Sequence, residues 1–215
     1  MRALFIVAKR YNGHELFLSL KVLDSLGVEF TTATHDDIAM VDEISGKGFL
    51  ADYVVQECDP EKCSDQYDAL VIVSGNLKDT MRFWTCESTR NLVKRFHAKG
   101  KVVAAICCSV PALRDIVSGK KVSFFPLSKS KDILRTSGAI FCPGSRAVDG
   151  NIVTAENQMV TQEWAEDIVK VMRGEIVVLD LPVTFEPGGR ARNDGFRRFI
   201  KHRDKVLGEV QNEIP

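Results

Sequence analysis

An apolar run, Val102-Val103-Ala104-Ala105-Ile106, breaks directly into Cys107-Cys108-Ser109-Val110-Pro111. The run suits a strand buried on both faces, and Pro111 suits the first turn of a helix. The sequence therefore predicts a thiol at a sharp strand-to-helix corner, the arrangement of a nucleophile elbow. Such a corner needs small residues two positions either side, and Ala105 and Ser109 supply them. A sulfur there faces a helix N-terminus, whose unpaired N–H groups and positive dipole end favour thiolate over thiol. The turn also sets backbone N–H groups where an oxyanion could develop. Cys107 is the candidate nucleophile because it ends the strand, whereas Cys108 begins the helix. The same residues also fit a plainer reading, in which Cys107 is a small apolar residue at a strand end.

The surrounding elements must position that corner. Ala3 to Ala8 is a continuous apolar run that reads as a buried strand. Leu16, Leu20, Leu23 and Leu26 recur at helical spacing over Glu15–Leu26, and Gly27 stops the helix. Val28 to Ala33 reads as a second strand, and 36–57 as a short β-ribbon around Gly46 and Gly48. Asp68 to Val73 is another buried strand ending in Ser74-Gly75-Asn76. A helix is predicted within Met81–Lys99, and another from Pro111 to about Ser118. Short strands are expected at Val122–Phe125, Ala139–Phe141 and Ile152–Ala155, then a helix over Thr161–Met172. Strands alternating with helices predict a three-layer α/β/α sandwich with a mainly parallel sheet, the site lying at the carboxyl ends of its strands. The composition shifts near residue 182. A domain over 1–182 is therefore expected, with a tail over 183–215 in which Asp194–Gly208 could form one basic amphipathic helix.

Composition narrows the function. The 215 residues carry 29 Lys+Arg against 29 Asp+Glu, so net charge makes no case for nucleic acid or an anionic membrane surface. No apolar stretch is long enough to span a bilayer, and six cysteines are too few for a disulfide scaffold. A cytoplasmic protein with reduced thiols is expected. Cys58 and Cys63 have four residues between them without a second pair at zinc spacing, and Cys107-Cys108 are too close to chelate one ion, so no metal is expected. There is no Gly-x-Gly-x-x-Gly or Walker loop, and no cofactor is expected.

Ala104-Ala105-Ile106-Cys107, with the strand Tyr67 to Ile72 and its Ser74-Gly75-Asn76 turn, resembles the ThiJ/PfpI superfamily. Three further segments resemble it. Ala8-Lys9 is followed six residues later by Glu15, at the family's acidic position. Lys121 to Lys129 is similar to the strand and loop after the elbow helix. Ile152-Val153-Thr154-Ala155 and the helix bearing Trp164 are similar to the closing hairpin and helix. The resemblance runs from residue 2 to about 180. It implies a flavodoxin-like fold, also seen in class I glutamine amidotransferases, with Cys107 as nucleophile. It implies that Glu15 shares a proton with that sulfur, its carboxyl raised and protonated beside a thiolate. The backbone N–H groups of Gly75 and Cys108 match the oxyanion hole. A homodimer or higher homo-oligomer acting on a small-molecule substrate follows from the same resemblance.

Two positions depart from the family pattern. Phe125 stands where the partner histidine would precede Pro-Leu, and a phenyl ring cannot carry a proton, so peptidase-like acyl transfer is disfavoured. Ser74 replaces the first glycine of a pair, and its Cβ crowds the turn. His14 is the auxiliary candidate, although successive helical positions point about 100° apart and Glu15 occupies the next one. His35 reads as a loop residue, His97 as solvated on its helix, and His202 as part of the tail. Chemistry in which Glu15 moves the proton, glyoxalase-, hydratase- or amidase-like, fits these residues. A redox-responsive or regulatory protein whose elbow cysteine is oxidised is the alternative.

Overall fold

The computed structural model describes residues 1–179 apart from positions 36, 143 and 178. The predicted basic helix of the tail lies outside the described residues. Strand β1 (Arg2–Val7) leads through the short β2 (Arg10–Tyr11) into helix α1 (Gly13–Ser25) and β3 (Glu29–Thr34). A hairpin of β4 (Ala39–Asp42) and β5 (Gly48–Leu50) follows, then β6 (Tyr53–Val54), α2 (Pro60–Gln66) and β7 (Ala69–Val73). Helices α3 (Leu77–Thr85) and α4 (Glu87–Ala98) precede β8 (Val102–Ile106) and a 3-10 helix over Cys107–Leu113. Next come β9 (Lys121–Val122), α5 (Ser128–Thr136) and β10 (Ile140–Phe141). The hairpin β11 (Arg146–Asp149) and β12 (Ile152–Ala155), then α6 (Thr161–Met172), complete the described chain.

The main sheet has seven strands in the order β11-β12-β8-β7-β1-β3-β6. Every neighbouring pair in it is parallel except the β11–β12 hairpin. Parallel strands need a crossover between them, and those crossovers cover both faces. The alternation along β1 shows the result. Leu4 and Ile6 enter the core under α3 and α4, with Phe83, Trp84, Leu92 and Phe96, while Phe5 and Val7 enter the opposite core with Leu16, Leu20 and Trp164 of α1 and α6. The chain is thus the three-layer α/β/α sandwich that the strand–helix alternation predicts.

Several local expectations are corrected. The helix expected within residues 81–99 is two helices meeting at Cys86, whose extended backbone (φ −64°, ψ 122°) closes one and opens the other. The strand expected at Val122–Phe125 stops at Val122, because the Ser123 N–H donates to the Thr154 hydroxyl at 2.9 Å instead of a strand ladder. Helix α2 is absent from the sequence-based expectations, although its signal is present: Asp59 caps it and Pro60 opens it. Helix α5 begins inside the segment expected as strand and loop. The helix expected from Pro111 to Ser118 is the short 3-10 helix that starts at Cys107 itself. His35 lies in the bend after β3, as expected, and is buried there, with Nε2 3.0 Å from the Thr89 hydroxyl and its ring 5.0 Å from Phe83. His97 is half-buried rather than solvated.

Candidate active site at the strand ends

Chain order reverses between β1 and β7, and in an open parallel sheet the crevice at such a switch point is the usual ligand site. The segments leaving β1, β7 and β8 at that edge carry Glu15, Ser74 and Cys107. Cys107 has φ +60°, and among the described residues it alone combines a side chain with positive φ. A left-handed conformation costs about 1–2 kcal/mol for an L-residue, so packing around the corner must hold it. Ser109 does part of this: its Oγ accepts the Ile106 N–H at 3.0 Å and lies 2.8 Å from the Ile72 carbonyl. The Trp84 indole N–H donates to the Cys108 carbonyl at 2.8 Å. The elbow expected from the sequence is therefore a strained backbone turn, locked from the strand beside it and from α3.

Glu15 is fully buried on α1, in the first turn that Asn12 caps; the Asn12 side chain accepts the N–H groups of His14 and Glu15. Its Oε2 accepts the Ser74 hydroxyl at 2.6 Å and the Ser74 N–H at 3.1 Å. The Cys107 thiol is near enough to act on that carboxyl. Burial pushes Glu15 up to about 7 from an ordinary 4.5, against the pull of Ser74 and Cys107. The carboxyl therefore changes charge near neutrality, where a general base works best.

Cys107, part-exposed, departs from its expected state. The Cys108 sulfur, then burial, then the Glu15 carboxylate push its thiol well above the ordinary value, with the Ser74 hydroxyl pulling the other way. Thiol and carboxyl thus compete for charge, and the first proton to leave the pair belongs to both groups.

The other expected site residues distribute unevenly. The Cys108 N–H follows directly on Cys107 in the elbow, where an oxyanion donor belongs. The Gly75 N–H does not stand open, because it donates to the Thr80 hydroxyl at 3.1 Å. Gly75 has a packing reason instead: it bridges Tyr11, and a Cβ there would lie 2.0 Å from the Arg10 carbonyl oxygen. His14 is exposed one helical position from the buried Glu15. Phe125 donates its backbone N–H to the Cys107 carbonyl at 3.4 Å, so the position still touches the elbow, through its main chain. Sequence reasoning missed Ser74 as a ligand of Glu15 and treated it as crowding. It also missed Asn12, whose side-chain N–H donates to Gln158 at 2.8 Å and ties α1 to the segment after β12. The Asn12-x-x-Glu15 spacing of a capping box was the available signal. Among the described residues no group of three or more His, Cys, Asp or Glu gathers as a metal site would require, and no helix is long and apolar enough to cross a membrane.

The buried carboxyl has a stability consequence. Its proton is held more tightly folded than unfolded, so the folded state binds more protons between pH 4.5 and about 7, and stability falls as pH rises through that window. The penalty at neutral pH is about 3 kcal/mol. A Glu15→Gln variant is expected to be about 1–3 kcal/mol more stable than wild type at pH 8. That advantage should vanish towards pH 4.5 in parallel urea titrations. Equal advantage at both pH values would mean that the carboxyl is not raised.

Fold and site together define a class of α/β sandwich proteins in which a strained elbow cysteine meets a buried carboxyl at the switch point. The chain belongs to the DJ-1/PfpI family, whose description fits residues 1–171. It is 29% identical over 177 residues to an uncharacterised protein of Methanocaldococcus jannaschii, covering 80% of this chain and 82% of that protein. It is 27% identical over 165 residues to the protein DJ-1 homolog A of Arabidopsis thaliana, covering 75% of this chain but only 40% of that longer protein. Among solved structures, a ThiJ/PfpI domain protein of Brachyspira murdochii superposes with a TM-score of 0.72 at 23% identity, covering 80% of this chain and 96% of that one. DJ-1 of Schizosaccharomyces pombe superposes with a TM-score of 0.70 at 14% identity, over 79% and 90% of the respective chains.

Proposed function

We propose that this protein is a cysteine enzyme that converts a small electrophile, such as a 2-oxoaldehyde, an isonitrile or a simple amide. The observation that carries this reading is a fully buried Glu15, pushed up to about 7 by burial and held by Ser74, beside a cysteine at φ +60°. Glu15 as carboxylate takes the Cys107 proton while the sulfur adds to the electrophilic carbon. The Cys108 N–H receives the developing negative charge, and protonated Glu15 then returns its proton to the adduct. The hydroxyl and N–H of Ser74 keep the carboxyl aimed throughout. With Phe125 at the position of the family's histidine, no second proton carrier is assigned there, which favours additions and hydrations over peptide cleavage. Self-association is part of the proposal: Phe17, Ile44 and Leu50 are exposed, and Phe17 packs edge-on against Phe49 beside Leu50.

The test is a substrate panel of 2-oxoaldehydes, isonitriles, primary amides and an unstructured peptide, read by product formation and by intact mass after rapid quench. Turnover of at least one small electrophile is expected, with a transient adduct on Cys107. Turnover of the peptide alone, or of nothing in the panel, would overturn the reading.

A further inference from the structure

The sulfur of Cys108 lies 3.8 Å from that of Cys107, and Cys108 is 9% exposed. The adjacent thiol plays no part in the proton transfer proposed above. Its carbonyl is tethered by Trp84 and its chain neighbour is held at positive φ, so the backbone that carries the two facing sulfurs is held in place. We propose that Cys108 is a resolving cysteine: when a peroxide oxidises Cys107, the Cys108 thiol condenses with the product to give a Cys107–Cys108 disulfide.

The first step forms a sulfur–oxygen bond on Cys107 and breaks the peroxide O–O bond. The thiol proton passes through Glu15 to the departing oxygen, leaving a sulfenic acid and water (or an alcohol from an alkyl peroxide). In the second step the Cys108 sulfur displaces that hydroxyl, and its own proton leaves with it as a second water. The peroxide is reduced by two electrons and the two thiols are oxidised by two. The geometry favours this route kinetically. A thiol already in contact with the reactive sulfur competes at high effective concentration with a second peroxide molecule arriving from solvent.

The bond so formed is a readily reversed one. Neighbouring Cα atoms are about 3.8 Å apart across a trans peptide. Ordinary disulfides span at least about 4.4 Å. A bridge between adjacent residues is therefore strained, and strain raises its reduction potential, so that a dithiol reductant restores both thiols. Oxidation would then switch the catalytic cysteine off reversibly, where overoxidation to sulfinic acid would destroy it. The proposal rests on the reactive elbow thiol proposed above, engaged by a peroxide in place of the carbon electrophile.

The test treats wild type, Cys108→Ser and Cys108→Ala with hydrogen peroxide, then maps the peptide containing residues 107 and 108 by mass spectrometry. Wild type is expected to lose about 2 Da there, reversibly with dithiothreitol, and both variants to gain about 32 Da irreversibly at Cys107. Sulfinic acid should accumulate at least tenfold faster in the variants. Equal gain of about 32 Da in all three proteins, or a bridge from Cys107 to a cysteine other than Cys108, would overturn the resolving role while leaving the reactive Cys107 intact. A Cys107 that reacts with neither peroxide nor iodoacetamide would overturn both readings.

Discussion

Cys107→Ala is expected to remove turnover down to background, and Glu15→Gln to lower kcat/KM by about 10³-fold. The alanine variant keeps the elbow backbone but has no atom that can bond the electrophile. The glutamine variant keeps the nucleophile and removes the group that takes its proton. Because the resting thiol is raised rather than lowered, it cannot supply thiolate unaided, and the carboxylate must receive the proton as the sulfur attacks. Wild-type kcat/KM should therefore climb about tenfold per pH unit below about 7 and level above it, following ionisation of Glu15. The glutamine variant should lose that inflection. A variant that kept the inflection, or fell less than about tenfold, would show that Glu15 does not move the proton. The same substitution should stabilise the fold at pH 8, so lost activity cannot be ascribed to unfolding.

Gly75→Ala is expected to produce the largest loss of stability, about 3 kcal/mol or more, lowering Tm by roughly 6–12 °C. The new Cβ would stand 2.0 Å from the Arg10 carbonyl oxygen and 2.6 Å from Tyr11 Cα, and both are backbone atoms that no rotamer change can move. The contact sits where β2 passes the end of β7, held by the Asn12 N–H on the Ser74 carbonyl (3.0 Å) and the Asn76 N–H on the Arg10 carbonyl (2.7 Å). Pushing these segments apart draws Ser74 away from Glu15, so activity should fall further than stability accounts for. Gly100→Ala is the control. Gly100 has φ +70°, and a Cβ added there would meet nothing within 4 Å, so the substitution should cost only the backbone strain of about 1–2 kcal/mol. Equal losses at the two positions would remove the argument for close approach.

How far the sequence revealed this arrangement varied with the range of the interactions. The elbow was legible because an apolar strand run and a helix-tolerant proline sit on either side of one residue, all within a dozen positions. Leu16, Leu20 and Leu23 marked α1 for the same local reason. Glu15 alone looked like an ordinary first-turn acid, and only the resemblance pointed to it. Its burial depends on α1 packing against the sheet, and its partner Ser74 lies 59 residues away, just past the end of a strand that becomes a neighbour only through the β1–β7 pairing. A contact of the same kind, equally invisible in the sequence, is the Thr80 hydroxyl that α3 brings onto the Gly75 N–H. The expected thiolate overlooked the Cys108 sulfur, burial and the Glu15 carboxylate, which together push the thiol up.

The central claim, one proton shared between Cys107 and Glu15, is tested most directly by the pH dependence of Cys107 alkylation with iodoacetamide, measured in wild type and Glu15→Gln. Ionised Glu15 takes the Cys107 proton as the sulfur attacks the reagent, so the wild-type rate should rise through an inflection near 7 that the glutamine variant lacks. A single titration near the ordinary thiol value of about 8.5 in both proteins, unmoved by the substitution, would contradict it.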